Sequence, residues 1–450
     1  MTRSNVSRVL HRSLRTDFPE AALAKGAYIS DAAGKQYLDA SGGAAVSCLG
    51  HGHPQVIAAI KDQLDRMAFA HSSFFTSHPA EALADRLSDK APGGAWRTFF
   101  VSGGSEANEA ALKLARQIQV ERGEATRDHF VSRQFSYHGN TLGALSVGGR
   151  LANLELFGPI LLPCVRKIMP CFSYRWREEG EDEQAFGLRA ARALESEIED
   201  LGPRRAIAFI AETVVGATLG CVPAVPGYFR EIRRICDEHG ALMILDEVMC
   251  GMGRCGTLFA CEAEGVVPDI ITIAKGIAGG YQPLGAMLVR EDLIDEIARG
   301  SGAFVHGHTY IGHATACAAG LAVQDVFEEH QLVARVARLG AKFRARLEAC
   351  FGDHPNVGNL RGRGLFQGLE FVASRDTKEP FPADYGIARR LKARAMANGL
   401  ICYPFAGTVD GLRGDHVLLA PPFIVTEDQL DEICGKLSRA LDEALAEARG

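Results

Sequence analysis

Short runs of β-branched and other apolar residues alternate with helix-period segments through the middle of the chain. Such alternation predicts a mainly parallel sheet covered by helices, an α/β core. The runs read as strands are Thr98–Val101, His129–Ser132, Ala206–Ala211, Leu242–Leu245, Ile270–Ile273 and Gly285–Val289. Each ends where polar residues begin. Ligands of open α/β sheets sit outside the carboxyl ends of the strands, so chemistry is sought there. The acidic, glycine-punctuated segment Glu178–Gln184 reads as a surface loop. From about Ala322 a long helical pattern leads to Gly358–Val372 and then to a helix–strand–helix tail. The expected organisation is an N-terminal arm (residues 1–60) packing with a small C-terminal domain (322–450), and a large domain (61–321) between them.

Composition narrows the class. With 47% apolar and 23% charged residues over 450 positions, the chain can bury a large core. Its formal charge of −6 and the lack of a long basic run give no drive toward nucleic acid. Every long apolar segment is broken by Gly, Pro or a charge well short of about 20 residues, so no membrane span is expected. The first sixteen residues, MTRSNVSRVLHRSLRT, have the bias of a transit peptide. No cleavage signal follows them, and they are expected to belong to the mature chain. Twelve cysteines occur without a CxxC pair, which suits a reducing cytoplasm. Cys250, Cys255 and Cys261 lack the spacing or histidines of a zinc site, and no metal is expected.

Three constellations carry chemistry. In RTFFVSGGSEANEAALKLARQ an apolar strand runs through Gly103-Gly104-Ser105 into a helix, an arrangement whose free N–H groups and dipole favour a phosphate. It lacks the GxxxxGK[ST] pattern of nucleoside triphosphate binding. In ALMILDEVMCGMGRCG, Asp246 and Glu247 follow directly on a buried strand. A carboxylate there could hold a metal, a ribose or a protonated ring nitrogen, or serve an ordinary turn. In VPDIITIAKGIAGGYQPLGAML, Lys275 ends an apolar strand 29 residues after Asp246. Desolvation at such a place lowers an amine's pKa and frees it to attack an aldehyde.

With these motifs in this order, the chain resembles the class III aminotransferases, fold-type-I enzymes that use pyridoxal 5′-phosphate and include ω-amino acid and amine:pyruvate transaminases. The resemblance runs from GAYISDAAGKQYLDASGG and GHGHP through SGGSEANEAALKLAR, YHGNTLGALS, ETVVGATLG and LDEVMCGMGRCG to DIITIAKGIAGG, HTYIGHATACAAGLA and APPFIVT. It implies that Lys275 forms the Schiff base with the cofactor and shuttles the substrate proton, and that Asp246 pairs with the pyridine nitrogen. Tyr137, followed by His138 at the same cofactor site, would stack on one ring face and Val248 on the other. Gly104 and Ser105 would hold the phosphate. Thr309 would reach the phosphate bound by a partner subunit, making the active unit a homodimer.

Departures from the family pattern bear on the substrate. Where amine:pyruvate enzymes place a Trp in the pocket wall, only Ala44 and Ala45 stand, which implies an open pocket. Glu212 heads ETVVG where the family more often has Glu-Pro; the resemblance gives it a catalytic-site carboxylate, and a structural strand-end acid is the other reading. Two positions where relatives carry a carboxylate-binding Arg hold Leu418 and Tyr403. Arg413, in the loop AGTVDGLRGDH, is therefore assigned the 2-oxo acid carboxylate, with Tyr403 beside it. The expected reaction moves an amino group from a primary amine or ω-amino compound to a 2-oxo acid, pyruvate foremost, by a ping-pong route. A racemase, aminomutase or decarboxylating transaminase of the same fold is the nearer alternative, and a non-catalytic cofactor-binding protein the more distant one.

Overall fold

The computed structural model describes residues 7–449; residues 1–6 of the Arg- and Ser-rich start lie outside the described residues. Seven strands form the central sheet: β1 (Trp96–Val101), β2 (His129–Arg133), β3 (Val165–Ile168), β4 (Ala206–Glu212), β5 (Leu242–Asp246), β6 (Ile270–Ile273) and β7 (Gly285–Arg290). Their spatial order is β1-β7-β6-β5-β4-β2-β3. Only β7 runs antiparallel to its neighbours in this sheet. Strands β4, β5 and β6 are buried at every position, which is why they read as near-continuous apolar runs rather than alternating ones.

All six strands expected from the pattern are present, most of them extended by a residue or two. The seventh, β3, has the sequence VRKI, and its two charges hide it. An edge position explains them, since one side of β3 carries no partner strand. The expected loop Glu178–Gln184 ends early. Asp182 Oδ1 accepts from Ala185 N at 2.7 Å and caps the helix Glu183–Leu201.

Register decides where the chemistry can lie. Asp246 pairs with Glu212 on one side and with Thr272 on the other, so three polar residues form a row where the buried strands end. At the same edge Gly285 of β7 pairs with Val101 of β1. A Cβ on Gly285 would lie 2.8 Å from the backbone of Gly103, so glycine lets the turn after β1 lie directly on the sheet. From that turn the helix Gly104–Glu121 crosses the sheet, packing Ala110, Ala111, Leu114, Ala115 and Ile118 against it.

The C-terminal part builds a second, antiparallel sheet from β8 (Val357–Arg363), β9 (Phe366–Phe371), β10 (Tyr403–Ala406) and β11 (Asp415–Leu419), in the order β8-β9-β11-β10. Near the other end of the chain, the short strand Gln36–Asp39 pairs in parallel with Leu400–Ile401. That pairing brings the turn at Ser41–Ala45 toward β10.

A buried charge cluster ties the second sheet to segments that follow strands β3 and β4 of the first. Glu370 of β9, fully buried, meets Arg361 of β8 at 2.8 Å and Arg175 of the short helix Ser173–Trp176 at 2.5 Å. Arg361 also donates through Nε to Gly220 O at 2.8 Å, and its guanidinium lies 4.6 Å from the Phe172 ring. Removing the carboxylate leaves two guanidinium groups buried without a counter-charge. Glu370→Ala is expected to lower stability by about 3–5 kcal/mol, read as a shift of the urea midpoint at constant slope. A loss below about 1 kcal/mol, the size of an exposed pair, would show the cluster to be solvated.

Candidate active site

Asp246 ends β5 and is 3% exposed. A carboxylate placed there needs donors, and three elements supply them. Oδ2 accepts from Asn108 Nδ2 of the crossing helix and pairs with His138 Nδ1, each at 2.8 Å. Oδ1 accepts from the backbone N of Val248 at 2.9 Å. Asn108 is itself fixed, donating to His138 O at 2.7 Å and accepting from Thr272 Oγ1 at 2.7 Å. A carboxylate oxygen accepts about two hydrogen bonds, so Oδ1 retains capacity for one further N–H donor.

Lys275 follows β6 at the start of a tight turn and has φ +50°, a left-handed conformation that an L-residue adopts at a cost of order 1–3 kcal/mol. Burial pushes its ammonium down to about 8, even though Asp246 and Glu212 pull in the opposite direction. Glu212, at the end of β4 and two strands from β6, is buried and accepts from Gly216 N at 2.9 Å and from Tyr137 N at 3.1 Å. Burial raises its carboxyl above the usual range, with His138 opposing.

Asp246, Lys275, Glu212, Tyr137, His138 and Val248 line a cavity of about 740 Å³. Gly104 and Ser105 contribute the start of the crossing helix, whose capping position Gly103 has no side chain to satisfy the first N–H groups. A Cβ on Gly104 would lie 2.7 Å from Val248 Cγ1, so the helix start and the Val248 wall close together. Ser105 Oγ accepts from Asn140 N at 3.1 Å. Tyr137 is half-buried, and its hydroxyl accepts from Asn140 Nδ2 at 2.9 Å.

Of the residues expected at the site, Lys275, Asp246, Glu212, Tyr137, His138, Val248, Gly104, Ser105, Ala44 and Tyr403 all line this one cavity. Ala45 stands behind it, buried with φ +65°. Thr309 is exposed and lies outside the lining of its own chain's cavity. Arg413 is not brought to the lining either. Its Nε donates to Asp410 Oδ2 at 2.7 Å, and its backbone N donates to Asp410 Oδ1 at 2.7 Å, so the loop's own acid holds it. Three cations not expected from the sequence line the cavity instead: Arg12, Arg150 and Lys392. Asn108 was also missed, although a polar residue on an alanine-rich helical face was a readable signal.

The set fits pyridoxal 5′-phosphate by its chemistry. An uncapped helix start suits a phosphate, a carboxylate with spare acceptor capacity suits a ring N–H, and a depressed amine suits an aldehyde. His138 lines the cavity too, and its buried Nε2 has no partner among the described residues.

Comparison with known proteins agrees. The sequence pattern of the family "Aminotransferase class-III" matches residues 17–441. An uncharacterised aminotransferase of Schizosaccharomyces pombe is 44% identical over 428 residues, covering 95% of this chain and 93% of its own. The chloroplastic gamma aminobutyrate transaminase 3 of Solanum lycopersicum is 36% identical over 427 residues, covering 93% of this chain and 79% of its own. Among solved structures, an (S)-enantioselective omega-transaminase from Thermomicrobium roseum superposes with a TM-score of 0.89 at 35% identity, over 96% of this chain and 94% of that one. The PMP-bound aminotransferase from Vibrio fluvialis gives 0.90 at 33% identity, with the same coverage.

The depressed amine has a measurable pH signature. Between about 8 and the ordinary 10.5, the unfolded chain holds a proton at Lys275 that the folded chain has released. Stability therefore gains from this group as pH rises through that window, and below it the folded state bears the cost of a buried cation. In the cofactor-free protein, reductive methylation of Lys275, followed by mass spectrometry, is expected to rise with a midpoint near 8. A profile that tracks the surface lysines would refute the depression.

Proposed function

Because the chain belongs to the class III aminotransferases, fold-type-I enzymes that use pyridoxal 5′-phosphate, we propose that it moves an amino group from a primary amine or ω-amino compound to a 2-oxo acid, with pyruvate the expected acceptor. The observation that carries this reading is the meeting of Lys275 with Asp246 and Glu212 in one cavity that the helix start at Gly104 also lines. When bound there, the pyridoxal ring supplies an electron sink for the pair left as a proton departs from the substrate carbon.

The chain's own residues then divide the work. Lys275 Nζ takes the proton from the reacting carbon of the donor and delivers it on the cofactor side; the acceptor is converted by the same movements in reverse. Asp246, its direction fixed by Asn108, His138 and Val248 N, would hold a negative charge for the ring nitrogen through the spare acceptor capacity of Oδ1. Tyr137 and Val248 would pack on the two faces of the ring, and the N–H groups at Gly104 and Ser105 would hold the phosphate. Glu212 is a positioning residue, since it holds the backbone of Tyr137.

Thr309 is proposed to complete the phosphate site of a second copy, which makes the working unit a homodimer. Its exposure in the single chain supports this role. A reducing, cytoplasmic setting is proposed from the twelve cysteines, all unpaired. None of the described helices is long and apolar enough to cross a membrane.

A panel of primary amines and ω-amino acids tested against pyruvate and 2-oxoglutarate checks the reaction. Consumption of no 2-oxo acid by any donor would overturn it. Lys275→Ala is expected to lower turnover by at least about 10²-fold, the least that a positioned general base contributes, while the protein stays folded and still takes up the cofactor. Thr309→Val should weaken cofactor retention in a species that sediments as a dimer. A fully active monomer would exclude the shared site.

A further inference from the structure

Among the described residues Cys350 is the one exposed cysteine. It stands in the last turn of the helix Leu332–Phe351, and the C-terminal helix Glu427–Arg449 packs alongside. A ladder of polar contacts sets the register of the two helices. Lys342 pairs with Glu427, and Arg346 meets Glu427 at 3.0 Å and Asp431 at 2.7 Å. Just past the end of the first helix, His354 faces Asp442 at 3.5 Å. Lys342, Arg346 and Cys350 are spaced four apart and so follow one helical face, and their partners climb the second helix in the same direction. The rung at Cys350 falls between Asp431 and Asp442. The side chain that meets it there is Cys434, whose thiol shares a hydrogen bond with the Cys350 thiol.

The two sulfurs stand in unlike surroundings. Cys434 is 2% exposed, and burial pushes its thiol up to about 12, with the neighbouring Cys350 thiol adding to the rise. Cys434 therefore rests as a protonated thiol under cover, while Cys350 meets solvent. Neither lines the active-site cavity, so the proton chemistry described above makes no use of them. An exposed thiol is open to oxidation, and one with a second thiol already beside it has a resolving partner in place.

We propose that Cys350 and Cys434 form a peroxide-responsive dithiol, whose disulfide fastens the C-terminal helix to the helix Leu332–Phe351. As a thiolate, Cys350 Sγ attacks one oxygen of hydrogen peroxide; the O–O bond breaks, a sulfenic acid forms, and the departing hydroxide takes up the proton that Cys350 released. Cys434 Sγ then attacks the sulfenic sulfur. The S–S bond forms, the S–O bond breaks, and the leaving hydroxide departs as water with the Cys434 proton. Two electrons pass from the thiols to the peroxide, which ends as two waters. In a reducing setting the pair rests as the dithiol, and the bond is transient. When closed, it joins positions 84 residues apart, between which lie all four strands of the second sheet. A link across so long a stretch restricts the unfolded chain strongly.

The test treats the holoenzyme with equimolar hydrogen peroxide, blocks the remaining thiols with N-ethylmaleimide and maps the peptides by mass spectrometry. The expected product is a Cys350–Cys434 linked peptide pair, with a thermal midpoint raised by about 5 °C. Dithiothreitol should reverse both. Cys350→Ser, a change at an exposed position, should fold as the wild type does and abolish the link and the shift. Cys434→Ser should instead leave a sulfenic acid at Cys350, captured by dimedone. Links among other cysteines, Cys350 over-oxidised without a link, or a midpoint shift that survives Cys350→Ser would overturn the dithiol. A linked protein whose thermal midpoint does not rise would overturn the fastening.

Discussion

A carboxylate at the end of a buried strand has to be satisfied before it can be used, and much of this architecture follows from how Asp246 is satisfied. Its donors come from the crossing helix (Asn108), from the loop after β2 (His138) and from its own turn (Val248). Thr272 on β6 braces Asn108 from below. Four separate stretches of chain therefore converge on one acid. Charge-assisted bonds of this kind are worth more in a dry interior than at a surface, and an unsatisfied partner there is correspondingly costly. The same network fixes the helix start against Val248 and sets the shape of the cavity floor there.

How far the sequence revealed this differs by level. Strands β4, β5 and β6 were legible because burial on both faces leaves an uninterrupted apolar run, and their polar ends pointed to Glu212, Asp246 and Lys275. Strand β3 was not, because Arg166 and Lys167 are tolerated only at an edge, and an edge is a property of the assembled sheet. The division of labour among arginines was equally hidden. Arg413 sits between glycines in a loop and was assigned the 2-oxo acid carboxylate, yet Asp410, three residues earlier, closes the loop on it. Arg150 ends the segment SVGGR, which carries no motif of its own. Its place at the cavity depends on Phe405, 255 positions later in the chain, and no local pattern announces that contact.

Backbone strain gathers at the same place. Lys275, Ala44 and Ala45 all hold left-handed conformations that glycine would adopt more easily. The first two line the cavity and the third backs it. Strain of this kind persists only where surrounding packing enforces it. Here the sheet register on one side and the Gln36–Asp39 pairing with Leu400–Ile401 on the other supply that enforcement.

The register itself separates what can vary from what cannot. Asp246, Glu212 and Thr272 share a row because their strands are in step. A one-residue slip in any of them would move its polar end by about 3.3 Å and turn its side chain to the opposite face. Insertions within these strands are thus ruled out for a working enzyme. The rim is under no such rule: Arg12 lies on the N-terminal arm, Arg150 just ahead of a short surface helix, and Gly407 and Gly411 on a hairpin loop. Those segments can lengthen, shorten or exchange residues without disturbing the row beneath them. A lineage built on this fold can therefore keep its proton chemistry fixed while it trades one clientele of amines for another.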